Sequence, residues 1–235
     1  MGWKSLRYPG PVARSVACPR RLRHIPARSQ GVKILHVRNP LLVLGACALL
    51  ATWQLVTMRP LSWRPGTLVA EEPRQADLEG APVFDFKGVH LTPRADFSGE
   101  VRVLSRERYW LGAFADIAPL DVAVGWGPMS DSAVLAQIDI SQGARFYYWH
   151  YSEEPPIPRE DIEIHSANWH LVPANRSVWN TLKSLRVGSV VRIEGKLIDI
   201  ETADHATIKT SLRRDDTGAG ACEVIYVETV SVRYH

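Results

Sequence analysis

The first 70 residues contain no aspartate and no glutamate; the earliest acid in the chain is Glu71. Cysteine is nearly as scarce, with Cys18, Cys47 and Cys222 alone, and only Cys222 follows residue 58. A disulfide within the C-terminal bulk is therefore excluded, and its stability has to come from burial. That bulk is long enough to hide roughly 70% of its unfolded surface, sufficient for one core. It also lacks a surplus of basic residues, holding nineteen of the 28 Lys/Arg against all 25 acids, a net of −6. A nucleic-acid binder would present a basic stripe to the phosphates, so that class is excluded. No repeat and no low-complexity segment is present.

What the N-terminus does have is nine basic residues, Lys4 to Arg38, directly ahead of the apolar run Leu41–Met58. As a helix the run reaches roughly 27 Å, close to a hydrocarbon core of about 30 Å. The expected organisation is a basic cytoplasmic tail (1–40), a transmembrane signal anchor (41–58), a Pro-containing linker (59–82) and an exported β-rich domain (83–235). The basic flank stays inside and the domain crosses, placing it in the periplasm of an inner membrane if the host is bacterial. Trp53 and Trp63 suit an interfacial belt. Leu44-Gly45-Ala46-Cys47 has the look of a lipobox, but the apolar run continues well past Cys47. The Arg-rich tail resembles an organellar presequence, and Arg20-Arg21 a twin-arginine signal, though the pair stands far from the run. A start at Val32, with 1–31 an over-extension, would leave a compact anchor.

From Val83 onward short apolar alternations broken by Gly and Pro predict strands at Gly99–Leu104, Asp121–Trp126, Ala144–His150, Val190–Ile200, Ala206–Leu212 and Glu223–Arg233. In Val190–Ile200 the apolar face switches past Gly195, which requires a bulge or a strongly coiled strand. One helix is predicted, capped by Asn175, with Val178, Trp179, Leu182 and Leu185 in one stripe before Gly188. The expected fold is mainly β with one or two helices, an OB-like partly open barrel preceded by one transmembrane helix. A helix ahead of the fourth strand, with Val191-Arg-Ile-Glu-Gly-Lys-Leu197 as that strand, carries the OB resemblance. The fold alone selects no ligand.

Four places carry candidate chemistry. His165 and His170, five apart, share neither a helix face nor a strand face, and zinc would need a further ligand such as His150, His205 or an acid; no metal and no cofactor is expected. In Ser211–Glu223, Asp216-Thr217-Gly218-Ala219 resembles the catalytic loop of retropepsin-like aspartic proteases. Arg213, Arg214 and Asp215 stand where that loop needs apolar residues, which favours a turn with Asp216 bonding backbone. Gly218 and Gly220 beside Arg213 and Arg214 would also suit an anion or small carboxylate ligand. Cys222 with His170 or His165 as base, and Asn168 as orienter, has the residue types of a thiol nucleophile. A core cysteine opening an apolar strand is the simpler alternative. Lastly, Tyr147-Tyr148-Trp149-His150-Tyr151, with Trp110, Trp126 and Trp169 elsewhere, supplies either an aromatic recognition face or core filling.

Asn168-x-His170-Leu-Val-Pro-Ala174 and Ser211-Leu-x-Arg214-x-Asp216-Thr-Gly-x-Gly-Ala-Cys-Glu223, together with Trp126-Gly127 and Arg145-x-Tyr147, resemble a group of bacterial single-span proteins of no assigned function. The resemblance covers about residues 98–235 and implies an inner-membrane protein with a periplasmic domain; it carries no activity. The leading expectation is a non-catalytic binding or scaffold domain for an envelope protein or polymer. Arg213, Arg214, Asp216, Gly218, Trp126, Tyr147, Trp149 and His165 are its candidate contacts. The alternative is a Cys-His hydrolase or transferase using Cys222, His170 and Asn168. A third is anion or small-ligand binding at the Arg213–Gly220 loop. An exposed aromatic face over a buried Cys222 favours the first; a cleft where Cys222, His170 and Asn168 meet favours the second.

Overall fold

The computed structural model describes residues 40–112, 114–213 and 220–233; within the first helix several side chains lie outside this set. The chain divides into two units, Met1–Cys47 and Ala48–His235. Helix α1 (Pro40–Thr57) coincides with the apolar run. Pro40 opens it, where a missing N–H costs nothing, and Pro60 follows its end. Leu41, Val43, Leu44 and Leu49 are exposed on it. Among the described residues no helix is long and apolar enough to cross a membrane, so the expected span is not established by the fold.

Beyond α1 come β1 (Arg74–Asp77), β2 (Phe84–Phe86), β3 (Val89–Arg108), β4 (Leu120–Gly125), a 3-10 turn (Gly127–Ser130), α2 (Ser132–Leu135), β5 (Asp139–Gly143), β6 (Phe146–His150), α3 (Arg159–Ile164), β7 (Ser166–Pro173), α4 (Arg176–Leu182), β8 (Val190–Glu201), β9 (Thr207–Ile208) and β10 (Glu223–Arg233). The protein is mainly β, as the alternations predict. Five strands form a circuit, β3–β4–β7–β10–β8 and back to β3. Every pairing in it is antiparallel except β7 with β10. β3 closes the circuit because its length lets residues 90–102 pair with β8 while 102–108 pair with β4. Closure leaves few free edges, which would otherwise invite pairing with another chain.

Strand alternation fills the interior. Val101 and Val103 of β3, Leu120, Val122 and Val124 of β4, Trp169 and Leu171 of β7, Ile193 and Leu197 of β8, and Ile225 and Val227 of β10 form one buried cluster. α4 adds Val178 and Leu182, and Asn175 caps it by accepting a 3.0 Å bond from the Val178 N–H. In β8 the face switches as expected. Ile198 and Ile200 leave the interior for a second cluster with Leu91, Val172 and Val224. The switch falls between Leu197 and Ile198, across from a bulge in β3 between Pro93 and Ala95; a second bulge, in β10 between Val227 and Thr229, lies across from Gly195. A Cβ at Gly195 would collide with the Tyr226 carbonyl oxygen.

Residues between β4 and β7 fold back over the outer barrel surface. α2, the β5–β6 hairpin and α3 there cover Ala123 with a third cluster that includes Met129, Ile138 and Ile162. The segment 59–82, expected as a linker, is packed against the barrel. Leu61 N–H bonds Val187 O at 2.8 Å, Trp63 Nε1 bonds Gly188 O at 2.7 Å, Val69 is buried, and β1 pairs with β3.

Candidate functional site

On β7, Trp169 and Leu171 point into the barrel, so Asn168 and His170 take the opposite face. Register then decides their neighbours. Asp121 of β4 lies opposite His170, and Ala123 opposite Asn168. On the other side, parallel pairing sets Val224 of β10 against His170. Cys222, two residues earlier, consequently stands level with Asn168, whose Nδ2 is 3.6 Å from its Sγ. Three chain segments about 50 residues apart thereby bring an acid, an imidazole and a thiol onto one patch of outer barrel.

The β5–β6 turn closes over this patch. Ala144 and Arg145 adopt positive φ (51° and 70°), which reverses the chain so that Arg145 reaches back to the barrel. Its guanidinium donates to Asp121 Oδ1 at 2.7 Å and to Ala118 O at 2.8 Å, and lies 3.6 Å from the Tyr109 ring centroid. Its own carbonyl accepts from Asn168 Nδ2 at 2.9 Å, while Asn168 Oδ1 accepts from Gln142 Nε2 at 2.8 Å. Asn168 is thus held from two sides with its amide beside the sulfur.

His170 is 7% exposed and Asp121 fully buried. His170 Nδ1 stands 2.9 Å from Asp121 Oδ1, off the line of a well-formed N–H···O bond, so the attraction is chiefly electrostatic. Phe114 meets the imidazole edge-on. Burial opposes a charged ring here, but the nearby Asp121 carboxylate and the Cys222 side chain outweigh it, raising the His170 pKa to about 9. Near neutral pH the ring is an imidazolium.

Cys222 is half-buried and lines a cavity of about 310 Å³. Asn168 and Ser166 share its floor, with Tyr147, Tyr148 and Trp149 of β6, Arg159 and Arg213 around it. Tyr147 is fixed by a 2.7 Å hydrogen bond between its hydroxyl and Ser166 Oγ. Burial raises its pKa, so it stays a neutral phenol. Of the residues singled out from the sequence, Cys222, Asn168, Tyr147, Trp149 and Arg213 meet at this cavity; His170 does not line it and stands on β7 opposite Val224, two residues along β10 from Cys222.

Two others do not. Trp126 continues the inward alternation of Leu120, Val122 and Val124 and is 1% exposed within the barrel core. His165 ends α3, with Nδ1 2.9 Å from Asp161 O and its ring against Gly127. Arg214, Asp216 and Gly218 lie outside the described residues. Asp121, Arg145 and Gln142 are not among the sequence candidates. The available signal for Asp121 is a lone carboxylate inside Leu-Asp-Val-Ala-Val-Gly, a strand buried on both faces. Among the described residues no group of three or more His, Cys, Asp or Glu is placed to hold a metal ion. Comparison with protein-family models, characterised proteins and solved structures returns no match.

Proposed function

We propose that the domain is a thiol-dependent hydrolase or acyl transferase, with Cys222 as nucleophile, His170 as proton carrier and Asp121 orienting and charging the ring. One observation carries this reading: Cys222 on a cavity wall, two residues along β10 from the partner of His170, an imidazole whose Nδ1 is 2.9 Å from a buried carboxylate. In the first half-reaction the Cys222 thiolate adds to an acyl carbon, forming the C–S bond. His170 gives its proton to the departing amine or alcohol as the old acyl bond breaks. In the second, water or an acceptor nucleophile loses a proton to His170 and displaces the thiolate, restoring the starting state. Asn168 Nδ2, beside the sulfur, is positioned to donate to the oxygen that gains charge. The aromatic wall favours a substrate with an apolar or ring-bearing acyl group.

A non-catalytic scaffold would bury its cysteine under an aromatic face. Tyr147 and Trp149 instead flank Cys222 in the same cavity, and this arrangement favours the covalent reading. The test is alkylation of Cys222 against pH in the folded chain with Cys18 and Cys47 changed to Ser. Rapid labelling of the folded chain, slowed by His170→Gln, is expected. Labelling only on unfolding would overturn the proposal and return the domain to the class of binding proteins for an envelope protein or polymer.

The five-strand circuit with α4 ahead of its fourth strand supports an OB-like barrel as the finer description of the fold. We propose in addition that α1 holds the domain at a membrane, with the basic tail cytoplasmic and the barrel periplasmic. The exposed Leu41, Val43, Leu44 and Leu49 and the nine basic residues before them support this. Resistance to alkaline extraction, and protease access to the barrel from the periplasmic side only, are the expected results.

A further inference from the structure

We infer that the barrel face around Trp110, Leu111 and Arg108 lies on an anionic lipid surface. This inference rests on the reading of α1 as a membrane segment. β3 ends at Arg108, and the chain beyond it projects Trp110 and Leu111, 69% and 90% exposed. Each alone would be an ordinary surface residue; adjacent on one tip, an indole and a leucine match what a headgroup region accepts.

The surroundings are cationic. The Arg108 guanidinium lies 3.5 Å from the Trp110 ring centroid and 5.1 Å from that of Trp179 on α4. Its Nε is buried with no hydrogen-bond partner. Lys87 and Arg176 line the same cavity of about 460 Å³, facing a single acid, the exposed Asp116. Lys87 Nζ donates to the Asp116 backbone carbonyl at 3.0 Å, so its charge is not neutralised there. Among the described residues none of Lys87, Arg108 and Arg176 has a carboxylate within ion-pair distance. A cavity with three cations that no described carboxylate pairs, and with an aromatic rim, fits a lipid phosphate.

Continuity identifies the membrane as the occupant. Met58, one residue past α1, touches this side of the barrel, with its Sδ 3.7 Å from an Arg106 terminal nitrogen. Arg106 also bonds the Lys183 and Leu185 carbonyls beyond α4, and Arg108 is two residues further along β3. The end of the apolar helix therefore reaches the barrel next to the Trp110 tip. A lipid surface at the end of α1 would therefore lie close to that tip.

The test uses the full chain, with Cys18, Cys47 and Cys222 changed to Ser, carrying Leu111→Cys labelled with a nitrobenzoxadiazole fluorophore. It is reconstituted with phosphatidylcholine vesicles, with and without phosphatidylglycerol. Arg74→Cys gives the control label, at an exposed side chain on β1 opposite Ser98 of β3. Alkaline extraction of the same samples reads α1 separately. The expected result is a blue-shifted label at 111, quenched by a lipid-borne quencher and stronger with phosphatidylglycerol, while the label at 74 stays aqueous. Arg108→Gln and Arg176→Gln should each reduce the phosphatidylglycerol-dependent part about fivefold. An aqueous label at 111 in extraction-resistant chain overturns the docking face and leaves α1 standing. A shifted label in extractable chain keeps the docking face and overturns the anchor. An aqueous label in extractable chain overturns both.

Discussion

At His170 the fold holds a proton that a free imidazole releases near pH 6.5, and its pKa of about 9 makes that proton a source of stability. Because the folded value lies above the unfolded one, the contribution is complete below about pH 6.5 and is lost as pH rises through about 9. Denaturant midpoints should therefore fall across that window, with stability declining on the order of 1.4 kcal/mol for each pH step of one between the two values. Asp121→Asn separates the causes. It leaves Arg145 and the imidazolium facing a neutral amide, which should cost about 3–5 kcal/mol as for other broken buried pairs. The pH slope should largely vanish with it. A slope that survives in Asp121→Asn would assign the proton to the influence of Cys222 alone, and Asp121 would then be a partner of Arg145 only. The same variant should slow alkylation of Cys222 if the carboxylate supports the ring's charge.

Among the elements, β8 shows how one strand can serve two cores. Ile193 and Leu197 fill the barrel, and Ile198 and Ile200 fill the outer cluster; the crossover lies between Leu197 and Ile198, opposite the bulge in β3, while Gly195 lies opposite the bulge in β10. Gly195→Ala should lower the unfolding free energy by about 1–3 kcal/mol, since the obstacle is the backbone oxygen of Tyr226 and cannot swing aside. A urea midpoint equal to that of the unsubstituted chain would show that β10 can shift its bulge. This switch is legible in the sequence because Val191, Ile193 and Leu197 alternate regularly before Ile198 and Ile200 take up the other face. So are α4, through its cap and apolar stripe, and β10, whose bounds agree with the alternation. β7 is not, because nearly all of its residues are buried and no alternation survives. β9 is shorter than Ala206–Leu212 because only Thr207 and Ile208 pair with β8. The same limit governs the site. Cys222, His170 and Asn168 announce themselves by chemical type, but Asp121 becomes their neighbour only through the β4–β7 register, a fact of pairing between distant segments.

For the molecule as a whole, the boundary of the folding unit is the question with the largest energetic consequence. Composition marks 59–82 as a stalk of prolines and charges, and by that reading a chain beginning at Val83 would keep the whole barrel. The packing says otherwise. Pro73 lies against Gly99, where an added Cβ would come within 2.8 Å of the proline Cβ, so a bare backbone on β3 is what admits it. Ser130 Oγ accepts from the backbone N–H groups of Leu68 and Val69 at 3.1 and 3.0 Å, tying the segment to the turn that follows β4. Val69 belongs to the interior cluster, and burying a valine side chain is worth about 1.5–3 kcal/mol. β1 covers part of β3 that would otherwise be a free edge beside Asp96 and Phe97. A domain's net stability is only about 5–15 kcal/mol, so losing these contacts together consumes a large share of it. A chain beginning at Arg59 should unfold cooperatively at an unchanged urea midpoint relative to the full chain in detergent. One beginning at Val83 should lose at least half of its unfolding free energy or aggregate through the bared strand. Equal midpoints for the two would make 59–82 a stalk after all, docked without contributing to the fold.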